Sequence, residues 1–264
     1  MRRIILPLLV LTAAFFYFFY LKPDIVPISS DSKEKADVPT SLEFDVRGVH
    51  VRLLNSDDLE MEKLKGLQME LEREIVEILE FANGDMPVVD VLTFNVTAKD
   101  GYEYMSSALY FDPELEAEEH FFYYNITSNL FEQSAYRGRF TATGLAAYFI
   151  DGPEYIHEMY SDYIDVEVAS IEGLFNDSTF VDHIYYGWDS TSYTEEDVEV
   201  ADATWMKIGS FTSYLIDQYG SSLYFEIYDS SDISLDFKKV YGKTITEMEN
   251  EWKEYLSVKY PDYY

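Results

Sequence analysis

The sequence predicts an N-terminal transmembrane helix followed by an α+β domain, and three observations carry that reading. Residues Ile4 to Leu21 run for eighteen positions without a charge. From Leu42 the apolar residues recur at every second position, and a long stretch at helical spacing follows them. After Leu130 the pattern turns mostly helical, and strands first with helices later imply α+β rather than a parallel α/β sheet.

As a helix, the uncharged segment rises about 27 Å, enough for the hydrocarbon core of a bilayer. Arg2 and Arg3 precede it and should stay inside, which turns the remainder of the chain outward. The run from Phe15 to Tyr20 suits the outer interface, where aromatic rings sit. A cleaved signal peptide would need small residues at its cleavage site; Thr12-Ala13-Ala14 comes too early and bulky aromatics follow. Residues 1–22 therefore read as a retained signal anchor, 23–41 as a Pro- and Ser-containing linker, and 42–264 as an extracytoplasmic domain.

Within that domain, Leu42, Phe44 and Val46, then Val49, Val51 and Leu53, make a strand pair turning at Arg47-Gly48. Ser56 or Asp57 is expected to cap a long helix with Leu64, Leu67, Leu71, Ile75, Ile78 and Leu79 on one face, stopped by Asn83-Gly84. Val88 to Val96 alternates as a strand, and His120 to Ile126 is read as another. One or two helices fill Leu130 to Ile150, with a break near Gly138. Residues 151–200 are irregular and rich in Tyr, Asp and Gly. Trp205 to Tyr219 is helical with Gly220 as its stop, and two shorter helices, Ser222 to Tyr228 and Ser234 to Val240, follow. Thr244-Ile-Thr-Glu247 is a capping box that opens the last helix, through Val258.

Composition excludes several functions. The 264 residues include 50 acids against 19 bases, a net charge of −31, so the chain lacks the basic footprint that nucleic-acid binding requires. Such acidity suits a solvated surface, or a binder of cations or basic partners. With no cysteine, disulfides, thiolate chemistry and Cys-ligated zinc are ruled out.

Motifs that carry chemistry are mostly incomplete in this chain. Of four histidines, only His157-Glu158 resembles the start of an H-E-x-x-H zinc helix, and the second histidine position holds Ser161, so the pair reads as a surface dipeptide. No G-x-S-x-G elbow occurs, and Gly242-Lys243-Thr244 matches only the tail of a phosphate-binding loop. Asp229 to Asp232 and Asp162 to Glu167 are oxygen-rich but lack EF-hand spacing, and read as solvated turns. Tyr186 and Trp188, within Ile184 to Trp188, are the candidate residues of a ligand groove, with a partly buried loop as the plainer reading. Asn95, Asn125 and Asn176 open N-x-[ST] sequons.

The run Ala203 to Gly220, with Gly209-Ser210-Phe211 and Tyr214-Leu215-Ile216 leading to Tyr219-Gly220, resembles the post-catalytic helix of peptidase-MA-like domains of the gluzincin metallopeptidase clan. The later phrase from Phe237 to Trp252 is similar to the close of those domains, so the likeness spans about 60 residues. The resemblance implies a thermolysin-like arrangement: a small N-terminal sheet with a long helix, and a mostly helical C-terminal half. It also places the zinc site upstream, on an H-E-x-x-H helix and a W-x-x-E-G-x-A-x-Y segment. Phe140 to Tyr148 is similar to the latter, with Thr143 where the third-ligand Glu would stand and Gly144 beside it. Tyr124 to Gln133, where H-E-x-x-H should fall, contains no histidine. The resemblance therefore implies a degenerate domain with no catalytic residue, no metal and no cofactor, marked by Thr143 and Gly144.

The function expected from these readings is a membrane-anchored, extracytoplasmic pseudo-metallopeptidase with a binding or scaffolding role. Its partners would be the membrane, through residues 4–21, and an extracellular peptide, glycan or protein. The alternative is an active hydrolase with a carboxylate site or a remodelled metal site built on His120, His157 and acidic neighbours.

Overall fold

Arg47 and Gly48 both adopt positive φ, 53° and 93°, the conformation of a two-residue hairpin turn whose twist matches its strands. They join β1 (Ser41–Val46) to β2 (Val49–Asn55) in antiparallel register, Val46 opposite Val49. The computed structural model containing them describes residues 39–98, 107–112, 115, 121–131, 139–176, 194–230 and 232–261, within a compact unit Val38–Tyr264.

Helix α1 (Met61–Ala82) then crosses over to β3 (Val91–Thr97), which pairs parallel with β2, and β4 (Ala108–Tyr110) adds parallel to β3. The sheet order is β1-β2-β3-β4. A parallel pair needs a crossover, and α1 supplies it, so the sheet is mixed. Phe44, Val46, Val51, Leu53, Phe94 and Val96 are buried on one sheet face, where Leu64, Leu67, Leu71, Ile75 and Ile78 of α1 are buried too. The opposite face carries Glu43, Asp45, Arg52, Thr93 and Asn95. There Arg52 Nε donates to Glu43 at 2.7 Å and His50 Nδ1 meets Asp45 at 3.0 Å.

The remaining described elements are α2 (Tyr123–Asn129), α3 (Arg139–Asp151), α4 (Pro153–Asp162), α5 (Ile171–Asn176), α6 (Glu195–Tyr219), α7 (Ser221–Glu226), α8 (Ile233–Tyr241) and α9 (Ile245–Lys259). Their interior is aromatic. Phe140 stacks on Phe175 at 3.7 Å between ring centres, and Trp252 lies between Tyr160 at 4.9 Å and Phe211 at 5.6 Å.

The fold class requires correction. The described chain is an α+β domain of four strands and nine helices, and among the described residues no helix is long and apolar enough to cross a membrane. Of the two longest, α1 sets an apolar stripe against an exposed charged face, with Glu74 the one charged residue on its buried side, and α6 keeps its charges towards its two ends, around the uncharged buried stretch Ile208 to Ile216. The membrane, transmembrane and signal-anchor expectations are withdrawn accordingly; the segment Ile4 to Leu21 on which they fell lies outside the described residues.

Local expectations change as well. Phe121 to Ile126 is not a strand: two irregular residues lead into α2, whose start is held from outside. Phe122 N donates to Glu74 Oε2 at 2.9 Å and Asn125 Nδ2 donates to Ala108 O at 2.7 Å, tertiary bonds that override the β propensity of the aromatic run. Asp57 does not cap α1, whose N-cap is Glu60 without a side-chain bond. The Asp57 carboxylate instead accepts from Thr97 Oγ1 at 2.5 Å and Ala98 N at 2.9 Å, tying off β3. Helix α6 begins ten residues before Trp205, on a reciprocal box between Thr194 and Asp197.

Candidate functional site

Three helices meet where the resemblance would place zinc. Thr127 Oγ1 of α2 donates to Ala142 O of α3 at 2.9 Å. Thr141 Oγ1 donates to Tyr228 O at 2.7 Å, and the Tyr224 and Tyr228 hydroxyls donate to Thr141 O at 2.6 Å and Thr127 O at 2.8 Å. Both tyrosines are fully buried, and burial holds the Tyr224 hydroxyl in its neutral, donating form by raising its pKa. The α7 turn thus reaches across and fills the space between α2 and α3 with phenol rings.

Thr143 sits in this seam with no exposed surface and no hydrogen-bond partner for its hydroxyl. Gly144, the next residue, lets α3 touch α6: a Cβ there would overlap Thr212 Oγ1 and stand 2.8 Å from Thr212 Cβ. Gly209 does the same from α6, where a Cβ would overlap Ile156 Cδ1 and stand 2.8 Å from Ala147 Cβ. A Gly-to-Ala change inside a helix ordinarily gains about 1 kcal/mol. Here the clash is with a Cβ in a rigid seam, so Gly144→Ala is expected to lose about 1–3 kcal/mol in a urea titration. Adding Thr212→Gly should restore part of that loss; simple addition of the two costs would contradict the close approach.

His157 is not a surface residue. The α4 helix turns Glu158 to solvent and His157 fully inward. Its Nδ1 lies 2.7 Å from Ser210 Oγ, which also accepts from Trp252 Nε1 at 3.1 Å, while its Nε2 has no hydrogen-bond partner. Burial, with the Lys259 ammonium adding to it, pushes the imidazole pKa down to about 3. The ring is a neutral packing group lidded by Tyr255 and Tyr260, at 5.5 and 6.2 Å between ring centres. It reaches neither metal nor substrate unless α4 and α9 separate.

The other candidates resolve into helix ends or fall outside. Asp232 Oδ1 accepts from Leu235 N at 3.1 Å and caps α8. Gly242, at φ 71°, ends α8 and Thr244 caps α9 two residues later, which accounts for the Gly-Lys-Thr triplet. Asn125 of the second sequon is buried, with its amide bound to Ala108 O. His120, Tyr186 and Trp188 lie outside the described residues. Among the described residues, no group of three His, Asp or Glu is placed to hold a metal ion.

The chain matches no family model, and neither a curated protein nor a solved structure is significantly similar to it. Nothing in those comparisons identifies a peptidase-MA-like domain.

Proposed function

We propose that residues 42–264 form a metallopeptidase-like domain that binds or scaffolds a peptide, glycan or protein rather than cutting it. One observation carries the reading: the seam of α2, α3 and α6 is closed by Thr127, Thr141, Gly144, Thr212, Tyr224 and Tyr228. A catalytic zinc takes three protein ligands from histidine and carboxylate side chains and keeps an open fourth position. Among the described residues, the seam offers hydroxyls and carbonyls bonded to one another, with the buried Thr143 hydroxyl unpaired beside them, and no group of three histidines or carboxylates. The resemblance of Gly209 to Gly220 and of Phe237 to Trp252 supports the metallopeptidase-like part of the reading.

Elemental analysis of the purified full chain, with a cleavage assay on an unfolded protein substrate, tests this. Zinc far below one per chain and no chelator-sensitive cleavage are expected. Stoichiometric zinc together with cleavage abolished by chelation would overturn the proposal.

A further inference from the structure

The start of α2 is fastened to α1 by an acid that water does not reach. Glu74 has no exposed surface; its Oε2 accepts the Phe122 N–H at 2.9 Å and its Oε1 lies 3.5 Å from Arg73 Nη2. Arg73 does little to offset a charge there. Its side chain is half exposed, and its shorter bonds, at 2.7 and 2.9 Å, go to Glu70. One turn further on, Glu77 accepts the Tyr123 hydroxyl at 2.6 Å.

Among the described residues, the ionisable groups facing Glu74 are Glu70, Arg73 and Glu77 of its own helix and the Tyr123 hydroxyl of α2, while α3 brings Tyr148 and Phe149 against Phe81 and stacks Phe149 on Tyr123. From the sheet, β1 buries Phe44 and Val46 and keeps Glu43 and Asp45 on the far face. From α7, Phe225 meets Phe81 while Glu226 is exposed. Among the described residues, one half-exposed arginine therefore stands beside the three carboxyl groups of Glu70, Glu74 and Glu77.

We propose that Glu74 is a proton-controlled clasp, holding residues 121–123 and the start of α2 on α1 as a neutral acid and loosening that joint when its proton leaves to solvent. Burial is the main reason the acid keeps its proton. The Phe122 N–H and Arg73 oppose that, Glu70 and Glu77 reinforce it, and the pKa is pushed up to about 8 from an ordinary 4.5. The folded value lies above the unfolded one. The stability tied to this proton is therefore complete below 4.5 and lost as pH rises through about 8. The switching range is mildly alkaline, and the element released is the one bearing Thr127 of the closed seam.

Glu74→Gln keeps the side-chain shape and an oxygen for the Phe122 N–H, but has no proton to lose. Equilibrium unfolding of both full chains should show the wild-type folding constant falling by up to about fifty-fold relative to the variant between about pH 6 and about pH 8. Amide exchange, corrected for its intrinsic pH dependence, should show protection at Phe122 and Tyr123 dropping in the wild type alone. Parallel pH profiles for the two proteins would overturn the proposal, as would a loss of protection spread evenly over the domain. A carbon-13 titration of the wild-type glutamate carboxyls needs no variant: one carboxyl titrating near 8, with the Phe122 amide moving alongside it, is expected. Every carboxyl titrating below about pH 6 would overturn the clasp.

Discussion

Trp252→Ala is expected to destabilise the domain by about 3–5 kcal/mol, the range for removing a large aromatic from a close-packed core. The indole is fully buried at the centre of the helical half. It stacks on Tyr160 of α4 at 4.9 Å and meets Phe211 of α6 edge-on at 5.6 Å, so one side chain of α9 joins three helices. Its Nε1 also donates to Ser210 Oγ, the atom that His157 Nδ1 approaches at 2.7 Å. The alanine variant therefore opens a cavity and leaves a buried serine–histidine pair short of a donor. Trp252→Phe separates the two effects: most of the packing is kept, and the missing N–H should cost about 1 kcal/mol. Urea unfolding monitored by far-UV circular dichroism measures both. A loss under about 1 kcal/mol for the alanine variant would mean that α9 is not part of the cooperative core.

Where local chemistry decides a boundary, the boundary is legible. The Thr244–Glu247 box forms with both arms, Glu247 N to Thr244 Oγ1 at 3.2 Å and Thr244 N to Glu247 at 2.8 Å. Asn83 and Gly84 take the left-handed conformations that end α1. What stays hidden depends on partners distant in sequence. The first ten residues of α6 carry few apolar positions, and Thr194–Asp197 differs from the common box by ending in Asp rather than Glu. Strand β4 has only three residues, too few for an alternation to show. A Gly152-Pro153 pair marks the start of α4 within the stretch read as irregular, and the Ile156, His157, Tyr160 spacing there is the signal that His157 faces inward. At the candidate site, Thr143 and Gly144 are singled out only by resemblance. A glycine inside a helix is locally ambiguous, and nothing near Gly144 in sequence announces the approach of Thr212, 68 residues later in the chain.

The buried charge pair between α6 and α9 carries the other large expected effect. Lys207 is 5% exposed and Glu249 is 6% exposed. The ammonium donates to Ala169 O at 2.8 Å and stands 3.5 Å from Glu249, whose carboxylate also accepts from Ile171 N at 3.1 Å and pairs with Lys253 at 2.9 Å. Burial pulls the Lys207 pKa down against the attraction of Glu249. Burial also pushes the Glu249 pKa up, but Lys253, Lys207 and the Ile171 N–H outweigh it and hold the carboxyl below its ordinary value. Its contribution is therefore present above 4.5 and fades as pH falls through the lowered folded value. Glu249→Ala strands the Lys207 ammonium without a counter-charge and frees the start of α5, so a loss of about 3–5 kcal/mol is expected. Lys207→Met should cost less, because Glu249 keeps Lys253 and the Ile171 N–H and no buried charge is left alone. The double variant Lys207→Met, Glu249→Leu should be more stable than Glu249→Ala, since removing both ions removes the desolvation penalty with them. Urea midpoints for the three proteins at neutral pH decide the matter. A double variant as unstable as Glu249→Ala would mean that the bond to Ile171 N, rather than the stranded ammonium, carries the cost.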